Sequence, residues 1–490
     1  MSKLIDGLNK TARTENGALQ YQNTGSYCLD FFTKVASMRG RNEEAYRLFK
    51  LASTENHKLA LMILLWAYDC RGGAGEREVF KYILLNGIKD NELVYGWATI
   101  ISHIPEYGRW DMLVEMLSDP IIEKCEAFQI WILKTITRGL IQENPLCAKW
   151  MPRQGRNAER IRNWLNKQKI TQLTRKTYRQ MLVKLSSNGN VVEQKMSSNQ
   201  WDDINFSIVP SVAQTRYAKA FTKHTPERYK KYLDLVKSGR AKMQMTVAFP
   251  HECVRMLRGA GANPTVIDAA NTAYEQLTKK ININRNVLVM ADVSGSMLTP
   301  VSGSINAMDI SIGTAILVAD HNTGPFKGHV LTFSDEPKLV KLSGQFYDKH
   351  QQIAHTQAPY GTNFLRAYMA ILDVAKRDHL TNDDLPDTIL VITDMEFNCA
   401  PFDDTHMLFI KKNFELYGYK VPEIVFWNLN QRTNGYAITK NMTKCAMISG
   451  YSPAILNTVF SDGPIDPVSI MMKTVAIPRY DIFSDTINKN

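Results

Sequence analysis

Cysteine does little for this 490-residue chain. There are seven, an odd number scattered from Cys28 to Cys445 with no CxxC spacing. That excludes a disulfide framework and the usual zinc ribbons, and the expectation is reduced thiols in a cytoplasmic protein. Long apolar runs are missing too. The longest, at 59–67, falls far short of the ~20 residues that a membrane helix needs, so no membrane partner is expected. Residues 1–17 hold no apolar core, and no secretory signal is expected. The ten histidines are scattered and no GxSxG elbow occurs, which leaves no assignable Ser-His-Asp set. The stretch RGGAGE at 71–76 lacks the Lys-Ser/Thr of a Walker A loop and follows a helical pattern where a strand is required. It reads as a helix C-cap and turn, with Arg71 and Arg77 within reach of a phosphate. These absences point to a binding protein and not to an enzyme.

Positive charge, by contrast, is plentiful and unevenly placed. The formal net charge is +11. Residues 285–490 hold 17 Lys/Arg against 21 Asp/Glu, whereas residues 1–284 hold 42 against 27. A polyanionic partner is therefore expected on the first part. Segment 149–184 concentrates the excess, with eleven Lys/Arg against the single acid Glu159. Lys149, Arg153, Arg156, Arg160, Arg162, Lys167, Lys169, Arg175, Lys176 and Arg179 are its candidate RNA contacts, and Lys184 ends it. Trp150, Trp164 and Tyr178 lie among them, and aromatic faces beside guanidinium groups suit stacked bases. The alternative is a solvated helix face with those rings buried. A second cluster at 216–242 offers Lys219, Lys223, Lys230 and Lys231 as further phosphate contacts. Its aromatics, Tyr217, Phe221, Tyr229 and Tyr232, recur at helical spacing and read mostly as core.

The length implies two or three domains. Residues 1–24 read as a polar surface arm. Through 25–284 apolar residues recur at three- and four-residue steps, as in Leu29, Phe32, Val35 and Ala36. The run at 59–68 is apolar nearly all round and should be central. Turns are expected at 55–57, 71–76 and 103–111. Helix pairs without strands indicate an all-α, HEAT-like solenoid or ring, although no strict repeat period is present. Across 285–476, short apolar strands alternate with amphipathic helices, which predicts a doubly wound, Rossmann-like α/β domain with a parallel sheet. A tail, 477–490, follows.

The chemistry of that second domain centres on NVLVMADVSGSM at 286–297. An apolar strand stops at Asp292, and Ser294 and Ser296 follow with Gly295 between them. Such an oxygen-only cluster suits a hard divalent cation, Mg²⁺ before Mn²⁺ or Ca²⁺. Thr362 sits in the loop PYGTNF, and Asp394 ends a second apolar strand, TILVIT at 388–393. Asp-x-Ser-x-Ser, then a loop Thr, then a strand-end Asp resembles the metal-ion-dependent adhesion site of von Willebrand factor A domains at all five positions. The resemblance implies that Ser294, Ser296 and Thr362 touch the ion, while Asp292 and Asp394 act largely through water. Asp394 and Glu396 also raise a two-metal nuclease, but such sites normally need three or four carboxylates. An ion with few anionic ligands stays electrophilic and takes one more carboxylate from a partner.

A wider resemblance lies in the run 195–221, KMSSNQWDDINFSIVPSVAQTRYAKAF, together with TENGAL at 14–19, RGGAGERE at 71–78 and HIPEYGRWD at 103–111. These look like a family related to Ro (TROVE-domain) proteins. The resemblance implies a ring of HEAT-like helices joined to a von Willebrand factor A domain. It also implies binding of small non-coding RNA on the ring's outer surface, and of single-stranded 3′ ends of misfolded RNA through its hole. No individual RNA contact is carried over. The expectation is a monomeric, cytoplasmic ribonucleoprotein component whose metal-site domain closes the ring or recruits an acidic protein. The alternative is a metal-dependent protein-interaction scaffold with no RNA role.

Overall fold

The computed structural model describes residues 11–14, 16–90, 94–169, 172–187, 192–245, 248–258, 263–279, 281, 283–302, 305–332, 337–356, 363–397, 406–430, 434–450, 452, 454–460 and 463–483. The first of these do not form a solvated arm. Strands β1 (Thr11–Arg13) and β2 (Leu19–Tyr21) make an antiparallel hairpin. The Thr14 hydroxyl donates to the Phe397 carbonyl at 2.8 Å, Tyr21 and Tyr436 exchange backbone bonds, and Ala18 is buried beneath the later sheet. The segment is polar because its partners are distant backbone groups, and composition alone does not distinguish those from water.

The helical half runs α1 (Tyr27–Lys34), α2 (Asn42–Tyr68), α3 (Glu78–Lys89), α4 (Val94–Tyr107), α5 (Asp111–Leu117), α6 (Pro120–Glu123), α7 (Glu126–Ile141) and α8 (Pro145–Trp150). It continues through α9 (Arg156–Lys167), α10 (Arg175–Ser187), α11 (Val192–Ser197), α12 (Ser211–His224), α13 (Pro226–Lys237), α14 (Pro250–Leu257) and α15 (Pro264–Thr278). Asn144 and Asn263 cap α8 and α15 just ahead of a proline, where the missing N–H costs nothing. The turn expected at 55–57 is a kink inside α2. Asn56 leaves helical geometry (φ −153°, ψ 100°) and its side chain accepts from the Leu59 N–H at 3.0 Å, capping the second segment. The loop expected at 103–111 is shorter, because α4 carries Pro105 in its last turn and runs to Tyr107. At 71–76 the C-cap reading holds. Gly73 and Ala74 donate to the Asp69 and Trp66 carbonyls, and a Cβ on Gly73 would lie 2.0 Å from the Trp66 oxygen.

The second half is a sheet of order β10-β9-β8-β3-β6-β7. β3 (Val287–Ala291), β6 (His329–Thr332), β8 (Thr388–Thr393), β9 (Glu423–Asn428) and β10 (Cys445–Ser449) run parallel. β7 (Lys338–Lys341) is antiparallel on β6, so the sheet is mostly rather than wholly parallel. A hairpin of β4 (Pro300–Ser302) and β5 (Ile305–Asn306) precedes α16 (Ala307–His321). Helices α17 (Phe346–Ala354), α18 (Phe364–Arg377), α19 (His406–Leu416), α20 (Ala454–Val459) and α21 (Pro467–Val475) complete it.

Alternate residues of β3 face opposite cores. Val287, Val289 and Ala291 belong to the core shared with the helical half, and Leu288 and Met290 to the core under α18 and α19. Burial on both faces explains the unbroken apolar strands. Among the described residues no helix is long and apolar enough to cross a membrane.

Candidate metal centre and nucleic-acid interface

The candidate metal centre is assembled by strand register. β3 and β8 pair with Ala291 opposite Ile392, and the Asp292 N–H extends the ladder to the Ile392 carbonyl at 3.0 Å. That places Thr393 beside Asp292, and its hydroxyl donates to Asp292 Oδ2 at 2.9 Å. The Ser294 N–H donates to Asp292 Oδ1 at 3.0 Å, and the Ser294 and Ser296 hydroxyls lie 3.0 Å apart in the turn that follows. Asp394, one residue past Thr393, is fully buried, as is Asp292. Met395 takes a left-handed conformation (φ 68°), which turns the chain at once, and the Glu396 N–H donates back to Asp394 Oδ1 at 3.3 Å.

Burial, and then the nearby Asp394 charge, push the Asp292 carboxyl above the usual carboxylate range, against the bonds from Ser294 and Thr393. Two acids held this way in low dielectric, with hydroxyls beside them, favour a hard cation that relieves the repulsion. Asp292, Ser294, Ser296 and Asp394 therefore fit such an ion. Thr362 lies outside the described residues. Among those residues no three His, Cys, Asp or Glu side chains form a metal-holding group.

The basic segment folds as two helices packed through one stripe each. Ala158, Ile161 and Leu165 of α9 are buried, as are Tyr178, Leu182 and Leu185 of α10. The stripes force the intervening basic residues outward. Arg153, Arg162, Arg175 and Arg179 converge on a cleft of about 110 Å³ between the two helices, with Glu159 as its acid. Arg175 pairs with Glu159. Lys167, Lys169, Lys176 and Lys184 are exposed nearby. Arg160 is spent on the fold, whereas Arg156 pairs with an acid but stays largely exposed. Arg160 donates to the Leu117 carbonyl at 2.5 Å, and Glu123 holds both Arg156 (2.6 Å) and Arg160 (3.4 Å).

Of the rings, Tyr178 is core, with its hydroxyl on the Pro152 carbonyl at 3.3 Å, and cannot stack on a base. Trp164 is half-buried against the same core. Trp150 is exposed, and the Arg109 guanidinium lies 4.2 Å above its ring. Arg109 was invisible to sequence reasoning, because the two residues meet only through packing. In the second cluster Phe221, Tyr229 and Tyr232 are core, as their spacing indicates. Lys223, Lys230 and Lys231 are exposed, whereas Lys219, also exposed, donates to the Arg258 carbonyl at 2.5 Å. The two clusters meet at Glu193, which accepts from Lys149 at 3.1 Å and from the Tyr217 hydroxyl at 3.2 Å. Arg71 and Arg77 are engaged with the Glu106 carbonyl and with Glu115.

Two family models match this chain. One, Domain of unknown function (DUF2828), spans residues 129–291 and takes in both basic clusters. The other, Domain of unknown function (DUF7788), spans 286–477 and takes in the strand-end acids. The chain is also similar to "Uncharacterized protein L728" of Acanthamoeba polyphaga mimivirus, 27% identical over 509 residues, 94% of this chain and 86% of that protein. Among solved structures it is similar to the Ro (RSR) protein of Deinococcus radiodurans, with a TM-score of 0.44 and 13% identity over 90% of this chain and 93% of that one.

The boundary between the two matched regions falls at β3, so the basic helices and the acidic strand ends lie in different halves of the chain.

Proposed function

We propose that this chain binds RNA through the basic surface of α9 and α10, while the strand-end site holds a divalent cation that serves a protein partner. The observation that carries this reading is the convergence of Arg153, Arg162, Arg175 and Arg179 on one cleft around a single acid. Guanidinium forks pair with phosphate oxygens two bonds at a time, which makes such a surface stronger for phosphates than scattered lysines. The resemblance to Ro-related proteins leads to the same expectation, with small non-coding RNA or single-stranded 3′ ends as the ligand. The cation would rest on Asp292, Ser294, Ser296 and Asp394 and supply an electrophilic position for an acidic side chain. With hydroxyls in place of further carboxylates, the site is one of binding and not of turnover.

The test is a gel shift at low salt with structured and single-stranded RNA. Changing Arg153, Arg156, Arg175 and Lys176 to Glu should abolish retention, and unchanged retention removes the proposal. A second reading, a metal-dependent protein scaffold without RNA, is favoured by the hydroxyl-rich cation site. It predicts a 260/280 absorbance ratio of plain protein after purification, and partner capture lost in Asp292→Ala.

A further inference from the structure

We infer that the cleft between α9 and α10 is a receptor for a terminal phosphate of an RNA strand. This rests on the RNA reading and adds the part of the ligand that the cleft selects.

Size comes first. The cleft holds about 110 Å³. A phosphoryl group fits that space, and a nucleoside does not, since pockets for molecules of that size run to about 300 Å³ or more. Charge is the second consideration. Arg153, Arg162, Arg175 and Arg179 stand against Glu159 alone, so the excess is more than one bridging diester neutralises. A monoester end carries about −1.5 to −2 near neutral pH and matches the excess better.

Shape is the third. Ala158 and Tyr178 are buried and line the cleft where the helices pack. A phosphate can enter head-on with its single ester oxygen leading out, whereas an internal diester must bring a sugar on each side. Donors are also in place. The Arg162 Nη1 donates to the Leu173 carbonyl at 3.2 Å, but its Nε is buried and has no acceptor among the described residues. Gly155 (φ 87°) heads α9 without a side-chain cap, and a Cβ there would meet nothing within 4 Å, so the helix's positive end is open to the cleft.

The experiment uses the full chain and fluorescence anisotropy with one single-stranded RNA of about twelve nucleotides in three forms: 5′-phosphate, 3′-phosphate, and hydroxyl at both ends. One phosphorylated form should bind about tenfold more tightly than the hydroxyl form, from roughly two extra charge-assisted bonds. Which of the two does so identifies the end. In the double variant Arg153→Ala/Arg179→Ala the ratio should fall to about one, whatever the overall affinity. Lys176→Ala, outside the cleft, should weaken all three forms alike and keep the ratio. Equal binding of the three forms to the wild-type chain overturns the inference and leaves RNA binding standing. A preference that survives the double variant overturns it as well, and binding of none of the forms removes both readings.

Discussion

Arg479 grips Asp69 with two arms, Nε 2.5 Å from Oδ2 and Nη2 3.0 Å from Oδ1. Asp69 ends α2 and is fully buried, and the Tyr480 hydroxyl donates to the same Oδ2 at 3.1 Å. Tyr107 in turn donates to the Arg479 carbonyl at 2.6 Å, and Lys58 pairs with Asp481 at 2.7 Å. The C-terminal segment is thereby latched onto the helical half.

Arg479→Ala leaves the buried Asp69 carboxylate with hydrogen bonds but no counter-charge. The expected loss is about 3 kcal/mol, read as a lowered urea midpoint. Arg479→Lys should recover only part of it, since one ammonium cannot serve both oxygens in a bidentate fork. A midpoint unchanged in both variants would show that the latch contributes nothing.

Mg²⁺ should raise the melting temperature of the wild-type chain, by an amount that grows with concentration as the folded state is selectively bound. Asp292→Ala and the milder Ser296→Ala should each reduce the shift. The shift should also shrink as pH falls from 8 toward 5. Asp292 has its folded proton affinity raised above the unfolded value, so protons compete with the cation well before an ordinary aspartate would take one up. Scanning fluorimetry across that range checks both statements.

Lys34 supplies a separate pH signature. It is buried, its ammonium lies 3.7 Å from the Tyr436 ring centre, and it donates to the Asn434 carbonyl at 2.8 Å. Burial lowers its pKa to about 7 from 10.5. The folded state therefore binds fewer protons than the unfolded chain between those values, and stability should rise with pH across that window. Below about 7 the penalty is complete. Lys34→Met should flatten this slope relative to wild type, as measured by denaturant midpoints at pH 7.5 and 9.5. An identical slope would exclude Lys34 as its source.

Salt dependence should separate fold-bound from RNA-facing cations. Arg160→Ala removes the link from α9 to the Leu117 carbonyl and Glu123, so it should lower the melting temperature. Lys176→Ala, fully on the surface, should leave stability alone and reduce the slope of log affinity against log salt by about 0.7 for single-stranded RNA. An equal slope change in both variants would place Arg160 on the RNA as well.

Sequence periodicity alone determined the order of the two halves, because apolar spacing at 3.6 and unbroken buried strands are local consequences of burial. It likewise determined Asp292, Ser294 and Ser296, which a five-residue turn brings together without help. Asp394 required the β3–β8 register before it lay near Asp292, and Arg109 required packing before it covered Trp150. Charge counting found the cations of 149–184, but only the stripes buried on α9 and α10 decided that Arg153, Arg162, Arg175 and Arg179 face one cleft while Arg160 turns to the fold. The same holds for residues 11–14 and 16–24, whose polarity reads as solvent-facing until Phe397 and Tyr436 provide backbone partners. Local chemistry is written in neighbouring residues, whereas which charge meets water and which meets protein depends on surfaces that exist only once distant segments have packed.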